Sequence, residues 1–271
     1  MKTLYFFFFL VFFSLPFSSH VPLFASEISR DRAESTNFAY GPGERLVYKL
    51  SYLGVPAGSA VMEVLKKSSV RGRSVYPVLS TVKSNKFVSV FYPVRDRIET
   101  FIDVKGGYSH RIEVKQRQGR KKRDKVIDFD QVRHRATQFK NDKIETFQIP
   151  PKVQDSLSSL YHFRSQATFE VGKSTFIDVH ESNKNWELEI KVLNRETITT
   201  ALGTFNTFKV KAYVRYEGIF MDKGDVTLWL TDDERRIPVL IKTKIKIGSI
   251  TAVLESSEVP TPTYQAKADI Q

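Results

Sequence analysis

From Glu44 to Tyr52 apolar and polar residues alternate, placing Leu46, Tyr48, Leu50 and Tyr52 on one side of an extended chain. Gly54-Val55-Pro56-Ala57-Gly58 then turns the chain into Ser59 to Leu65, and the two runs predict a hairpin. A β-rich pattern returns in Ser74 to Thr81 and in Val94 to Asp103, where Arg95, Arg97 and Glu99 oppose Val94, Ile98 and Ile102. Lys86 to Tyr92, between them, reads as a helical turn or an irregular crossing before Pro93. Lys105-Gly106-Gly107 turns the chain into Tyr108 to Arg117. Lys125 to Asp130, Arg133 to Phe139 and Ile144 to Ile149 continue the meander to Pro150 and Pro151. After Gly172 strand patterns recur in Thr175 to His180, Trp186 to Leu193, Glu196 to Thr200, Phe205 to Tyr216, Val226 to Leu230, Pro238 to Ile247 and Ser249 to Leu254.

Between these two series, one stretch changes period. In residues 153–164 Leu157, Leu160, Tyr161 and Arg164 recur at three- and four-residue spacing, and Asp155 stands where a helix cap belongs. The pattern predicts an all-β fold, an antiparallel barrel-like or half-open curved sheet, with one short central helix plugging it. Arg164 can be buried in such a plug only if a carboxylate or backbone carbonyls meet it. No Pro/Gly/Ser-rich linker separates either half from the helix, so residues 43–254 are expected to form a single domain.

The ends are different material. Lys2 precedes an almost unbroken Phe/Leu run from Leu4 to Phe17, about the length of a secretory h-region and too short to span a bilayer comfortably. Residues 1–25 therefore read as a signal peptide, cleaved so that the mature chain starts near Ser26 and is addressed to the periplasm, the alternative being a retained anchor. Residues 26–42 read as a flexible leader and 255–271 as a disordered tail. The chain has no cysteine, which excludes disulfides, thiolate metal sites and a lipid-modified cysteine. The net charge over 271 residues is +12. For an exported chain the accessible counter-charge is anionic lipid, lipopolysaccharide or a wall polymer rather than nucleic acid.

Four ordered motifs bring a resemblance. They are Gly43-Glu44-Arg45-Leu46-Val47-Tyr48 with Gly54-Val55-Pro56-Ala57-Gly58; Phe91-Tyr92-Pro93-Val94-Arg95-Asp96-Arg97; Val153-Gln154-Asp155-Ser156-Leu157-Ser158-Ser159-Leu160-Tyr161; and Leu228-Trp229-Leu230-Thr231-Asp232-Asp233 with Arg236-Ile237-Pro238-Val239. Together, over residues 43–254, they resemble the bacterial exported family catalogued as domain of unknown function 3108. The resemblance implies an antiparallel, barrel-like periplasmic protein. It implies no reaction, cofactor or catalytic residue.

The candidate chemistry is sparse. Ser158 and His162, one helical turn apart and preceded by Asp155, suggest a nucleophile and a base for a hydrolase acting on an envelope polymer, but no nucleophile elbow accompanies them. Asp232, Asp233 and Glu234 are followed at once by Arg235 and Arg236, the composition of a solvated turn. The five histidines lie on separate elements without ligand spacing, so no metal is expected, and no cofactor. Arg215-Tyr216 and Phe220 interleave cations with aromatics but carry no nucleic-acid motif. The hairpin end bearing Arg117, Arg120, Lys121, Lys122 and Arg123 crowds five cations that cannot neutralise one another, and it suits an anionic surface. A sheet left half open would let Tyr161, Arg164, Trp229, Phe91 and Tyr92 line a ligand site. The reading is a non-enzymatic envelope protein, peripheral to the membrane, that binds an amphipathic anionic ligand such as a lipid or glycolipid, or scaffolds envelope assembly. The alternative is the hydrolase built on Asp155, Ser158 and His162.

Overall fold

The computed structural model describes residues 39–165, 169–216, 219–220, 226–245 and 247–259. The expected signal peptide, most of the leader and the end of the tail lie outside them. In chain order the strands are β1 (Arg45–Tyr52), β2 (Val55–Val64), β3 (Ser68–Val70), β4 (Arg73–Ser84), β5 (Arg95–Asp103), β6 (Ser109–Gln118), β7 (Lys121–Asp130), β8 (Arg135–Lys140) and β9 (Lys143–Gln148). After the central segment come β10 (Ser174–Glu181), β11 (Lys184–Thr200), β12 (Gly203–Tyr216), β13 (Ile219–Phe220), β14 (Val226–Thr231), β15 (Pro238–Lys244) and β16 (Ser249–Glu258). Helix α1 (Lys86–Phe91) links β4 to β5, and α2 (Ser158–Arg164) lies between β9 and β10.

All the strands form one antiparallel sheet in the order β10-β11-β12-β14-β15-β16-β1-β2-β4-β5-β6-β7-β8-β9, with β3 and β13 as short side pairings. The sheet is open between β9 and β10. Bonds outside the strand ladder bridge that seam: the side chain of Asn185 in β11 donates from Nδ2 to the Gln148 carbonyl of β9 at 2.8 Å, and Gln154 lies parallel to Val179, its amide bonded to Asp178 O and its carbonyl accepting from His180 N. Inside, Lys125 of β7 reaches Glu181 of β10, an ion pair with both side chains buried. Burial raises the Glu181 carboxyl, but Lys125 outweighs it and holds the group below its ordinary range. The half-open curved sheet read from the sequence is thus the observed architecture.

Alternation places one face of each strand inward. Leu46 and Tyr48, Ile98 and Ile102, Ile112 and Val114, Ile127 and Phe129, Val210, Leu228 and Leu230, Val239 and Ile241, and Ile250, Ala252 and Leu254 join one core with α2. The helix was expected to bury one stripe. It is engulfed instead: Leu157, Leu160, Tyr161, Phe163 and Arg164 are buried, and so are Ser158 and Ser159. A seven-residue helix inside a curved sheet has wall on nearly every side.

Other differences are local. Lys86 to Phe91 is helical, its N-terminus capped by Asn85, whose side chain accepts from Val88 N at 2.8 Å. The two runs read as Trp186 to Leu193 and Glu196 to Thr200 are one strand, β11, and the break between them is a bulge at Val192/Asn194. The folded part also exceeds residues 43–254. Ala39 and Tyr40, assigned to the leader, are buried, and β16 continues to Glu258, into the expected tail. The turn read at Asp232 to Arg236 is formed: Asp233 Oδ1 accepts from Thr231 Oγ1 and from the amides of Arg235 and Arg236.

The two helices mark opposite ends of the sheet. At the α2 end lie the β5–β6 and β14–β15 turns and the start of β1. At the α1 end lie the β1–β2, β6–β7 and β15–β16 turns, adjacent around the rim. Gly58 is required where β2 passes β4, because a Cβ there would collide with the Lys83 carbonyl and meet Ser84 Cα at 2.9 Å. We therefore expect Gly58→Ala to cost at least about 1–3 kcal/mol in urea denaturation, the usual range for overpacking. Gly41→Ala, with open space around its position, should be neutral within about 0.5 kcal/mol.

Candidate functional site

At the α2 end Arg164 is the most demanding group in the core. Its Nη1 and Nη2 donate to Glu44 Oε1 and Oε2 at 2.7 and 2.8 Å, a bidentate pair in which both side chains have 0 % exposure. Its remaining donors meet carbonyls, Arg235 O at 3.1 Å from Nη2 and 3.2 Å from Nε, and Ala39 O at 3.3 Å. Its guanidinium lies 5.1 Å from the centre of the Tyr161 ring, which takes Tyr40 edge-on at 4.7 Å. Burial lowers the Arg164 pKa, but the Glu44 carboxylate more than offsets it and the guanidinium stays charged. The sequence demanded a carboxylate or carbonyls for Arg164, and the structure supplies both. It did not single out Glu44. The signal was an acid at the mouth of the first strand pattern, indistinguishable there from any other strand-start residue.

The Asp155, Ser158 and His162 constellation is structural. Asp155 Oδ1 accepts from the amides of Leu157 and Ser158, both at 2.8 Å, and Ser158 Oγ accepts from Asp155 N at 2.8 Å. This reciprocal arrangement is a capping box, with Asp155 closing the first helical turn by its own carbonyl to Ser159 N. Thr100 Oγ1 donates to Asp155 Oδ2. Burial pushes the Asp155 carboxyl up, against the opposing pull of these hydroxyl and amide donors. Ser158 has 0 % exposure and its hydroxyl also donates to Asp155 O at 3.3 Å. The His162 ring bonds to the Gly107 carbonyl, and burial holds it below the usual imidazole range. The Ser158 hydroxyl is thus sealed and bonded to its own helix cap.

The aromatic and cationic residues proposed to line one ligand cavity are not brought together. Tyr161 and Arg164 are in the core at the α2 end. Trp229 is on the outer face of β14, covered by Lys209 and Lys242, whose ammonium groups sit 5.2 and 5.3 Å from its ring centre, and its indole N–H donates to Glu196. Phe91 is 77 % exposed at the α1 end, and Tyr92 packs over Gly119. The recess bounded by Leu50, Ala57, Val82, Lys83, Ser84, Val94 and Asp96 has room for about one water. Small-molecule pockets are typically about 300–1,000 Å³.

The cations assemble differently from the expected tip. Arg120, Lys121 and Lys122 are exposed at the β6–β7 turn. Arg117 is bound to Asp124 in a bidentate pair at 2.5 and 2.8 Å, which holds the Asp124 carboxyl below its usual range. Arg123 is half-buried on the opposite face, in register with Gln116. Register then adds what the sequence could not show. Lys83 stands opposite Arg95, Arg97 opposite Lys115, and Arg117 opposite Lys122, three like-charged pairs on the outer face of β4 to β7. Directly opposed side chains have Cβ atoms about 5 Å apart, and like charges there destabilise a sheet. Two carboxylates relieve the six cations, Asp124 at Arg117 and Glu99 at Arg97, the latter at 2.6 Å.

Arg164→Met, which strands a buried carboxylate, should cost about 3–5 kcal/mol in urea denaturation, and the double variant Glu44→Leu/Arg164→Met should recover much of that loss. Ser158→Ala should lose about 1 kcal/mol through the cap and still complement a deletion strain, as should His162→Ala. A variant of unchanged Tm that failed to complement would restore the hydrolase.

No curated protein matches the chain. Among solved structures, the β-barrel-like protein of domain of unknown function DUF1849 from Brucella abortus superposes with a TM-score of 0.57 at 11% identity, over 82% of this chain and 99% of that one. A Bacteroides fragilis protein described with a YmcC-like fold matches at a TM-score of 0.34 and 13% identity, over 82% and 98% of the two chains. The first of these likenesses supports the barrel-like fold. The model of the protein family of unknown function DUF3108 matches residues 47–255. That span runs from β1 to β16, and the chain belongs to the DUF3108 family.

Proposed function

We propose that this is an exported, non-enzymatic protein of the cell envelope, placed in the periplasm by its N-terminal segment, that binds anionic amphiphiles, lipid or glycolipid, on its outer surface. The observation that carries the reading is the outer face of β4 to β7, where three cross-strand pairs of like charge face one another with two carboxylates between them. Such a surface is destabilised when bare and relieved when anions bind, so it gains from a phosphate-bearing layer more than scattered charges would. Among the described residues the interior is packed by α2 and strand side chains, which supports surface binding rather than carriage inside the sheet. The serine and histidine of the helix, committed to its cap and to the Gly107 carbonyl, argue against hydrolysis.

Reversal of Arg120, Lys121 and Lys122 to Glu should leave the fold intact and weaken association with anionic liposomes by an order of magnitude or more, each cation being worth about 1 kcal/mol near an acidic surface. Binding by the unmodified chain should fall steeply as salt rises. Unchanged binding of the triple variant at low salt would remove the hairpin from the contact, and loss of folding would mean that its charges are structurally paired.

A further inference from the structure

The α1 end carries apolar side chains where a folded surface normally carries polar ones. Phe87, Val90 and Phe91 are 68 %, 77 % and 77 % exposed, while the half-buried positions of the same helix include Val88 and Ser89. Its amphipathicity is inverted, with the apolar stripe at i, i+3 and i+4 facing solvent. The helix is firmly held in that pose. Asn85 caps it, donates from Nδ2 to Pro56 O at 2.7 Å and from its amide to Ala57 O at 2.8 Å, and Ser84 and Ser89 share a hydroxyl bond at 2.7 Å. Beside it on the rim, the β1–β2 turn presents Leu53 and Val55, and the β15–β16 turn presents Ile247. The two turns are tied by the Tyr52 hydroxyl, which donates to Ile247 O at 2.9 Å, and by Leu53 N bonded to Ser249 O.

Cations adjoin this apolar arc. Lys83, Lys86 and Arg95 flank α1, and the β6–β7 turn with Arg120 and Lys122 is bonded to the chain after the helix through Gly119 N and Pro93 O. We infer that the α1 end of the barrel is a membrane-docking end, on which Phe87, Val90, Phe91, Leu53, Val55 and Ile247 enter the acyl boundary of an anionic leaflet while the neighbouring lysines and arginines hold its headgroups. This rests on the surface-binding reading and adds to it an orientation and a hydrocarbon contact. A wall polymer would satisfy the cations and leave the apolar arc in water. A second copy of the chain, docked through the same end about a twofold axis, would press the cations of one copy toward those of the other. A leaflet with anionic headgroups above hydrocarbon matches both features at once.

The chain's lack of cysteine makes a direct test possible. Phe91→Cys at the α1 end, and Val132→Cys, which is 75 % exposed in the β7–β8 turn at the opposite end, are each labelled with an environment-sensitive fluorophore. Each is mixed with phosphatidylglycerol/phosphatidylcholine vesicles carrying a quencher on the acyl chains. The expected result is quenching and a blue shift at position 91 and neither at 132. In the unlabelled chain, Phe87→Ser/Val90→Ser/Phe91→Ser should keep its Tm and its low-salt binding, and lose at least about 10-fold at 0.5 M salt, where the apolar contact dominates. Low-salt vesicle binding with no quenching at position 91, or with quenching at 132, overturns the orientation and leaves the charge reading standing. No low-salt binding of the unmodified chain overturns both. A concentration-dependent dimer in light scattering, abolished by the serine variant that still binds vesicles as the parent does, assigns the apolar arc to self-association and overturns the docking.

Discussion

The Arg164–Glu44 pair fixes how the sheet and its plug fit together. A fully buried guanidinium tolerates few positions. Its charge must meet a carboxylate and its spare N–H groups must meet carbonyls, and here these come from the start of β1, the β14–β15 turn and the approach to β1 at Ala39. Relative to a well-packed apolar replacement, such a pair adds little or no net stability, because desolvation offsets most of the Coulomb gain. Its value is positional. One rotation and one depth of α2 satisfy all these partners, and any other leaves an ion unpaired in the core. The capping box at the other end of the helix adds a second constraint, since Asp155 is also bonded to Thr100 of β5. The helix is thereby pinned at both termini to strands far apart in sequence.

A plug held so firmly bears on where a ligand can sit. With α2 and strand side chains packed in the interior, the surface-binding proposal turns on two distinct chemistries of the outer surface. One is the crowd of like charges on β4 to β7. The other is the apolar arc around α1. Neither contributes to the packing of the barrel, and both run against what favours folding and solubility, for opposed like charges destabilise a sheet and exposed aromatics favour aggregation. Features that a fold bears at its own expense are where interaction with something else is best sought.

How far the sequence disclosed this depended on whether a feature was local or relational. Alternation exposed the strands, because half-burial imprints a period of two, as in Leu46, Tyr48 and Leu50. The change to three- and four-residue spacing at Leu157, Leu160, Tyr161 and Arg164 exposed α2 for the same kind of reason. Pairing partners are relational. That Lys83 faces Arg95, or that Glu44 lies beside Arg164 across 120 residues of chain, depends on register and closure, which no local pattern encodes. The cavity proposed for Tyr161, Trp229, Phe91 and Tyr92 came from counting strand aromatics without knowing which way each pointed. Trp229 belongs to the outer set of β14 and Phe91 to a helix, so the four residues are dispersed over both faces and both ends. Bulges hide as well: the break at Leu193 mimicked a turn because an inserted residue shifts the alternation just as a strand end does.

The sheet order has a consequence in time. The first strand and the last, β1 and β16, are neighbours in the middle of the sheet, with eight residues of β1 in register with β16. A ribosome delivers residues 45–52 before the other described strands and residues 249–258 after them, so the two flanks of the sheet cannot be joined until β16 has been made. Until then Leu46, Tyr48 and Leu50 lack one of their two neighbouring strands, and closing so long a loop is slow. The central β1–β16 pairing thus sets an order of assembly, for the two flanks of the sheet can join only once β16 has been made.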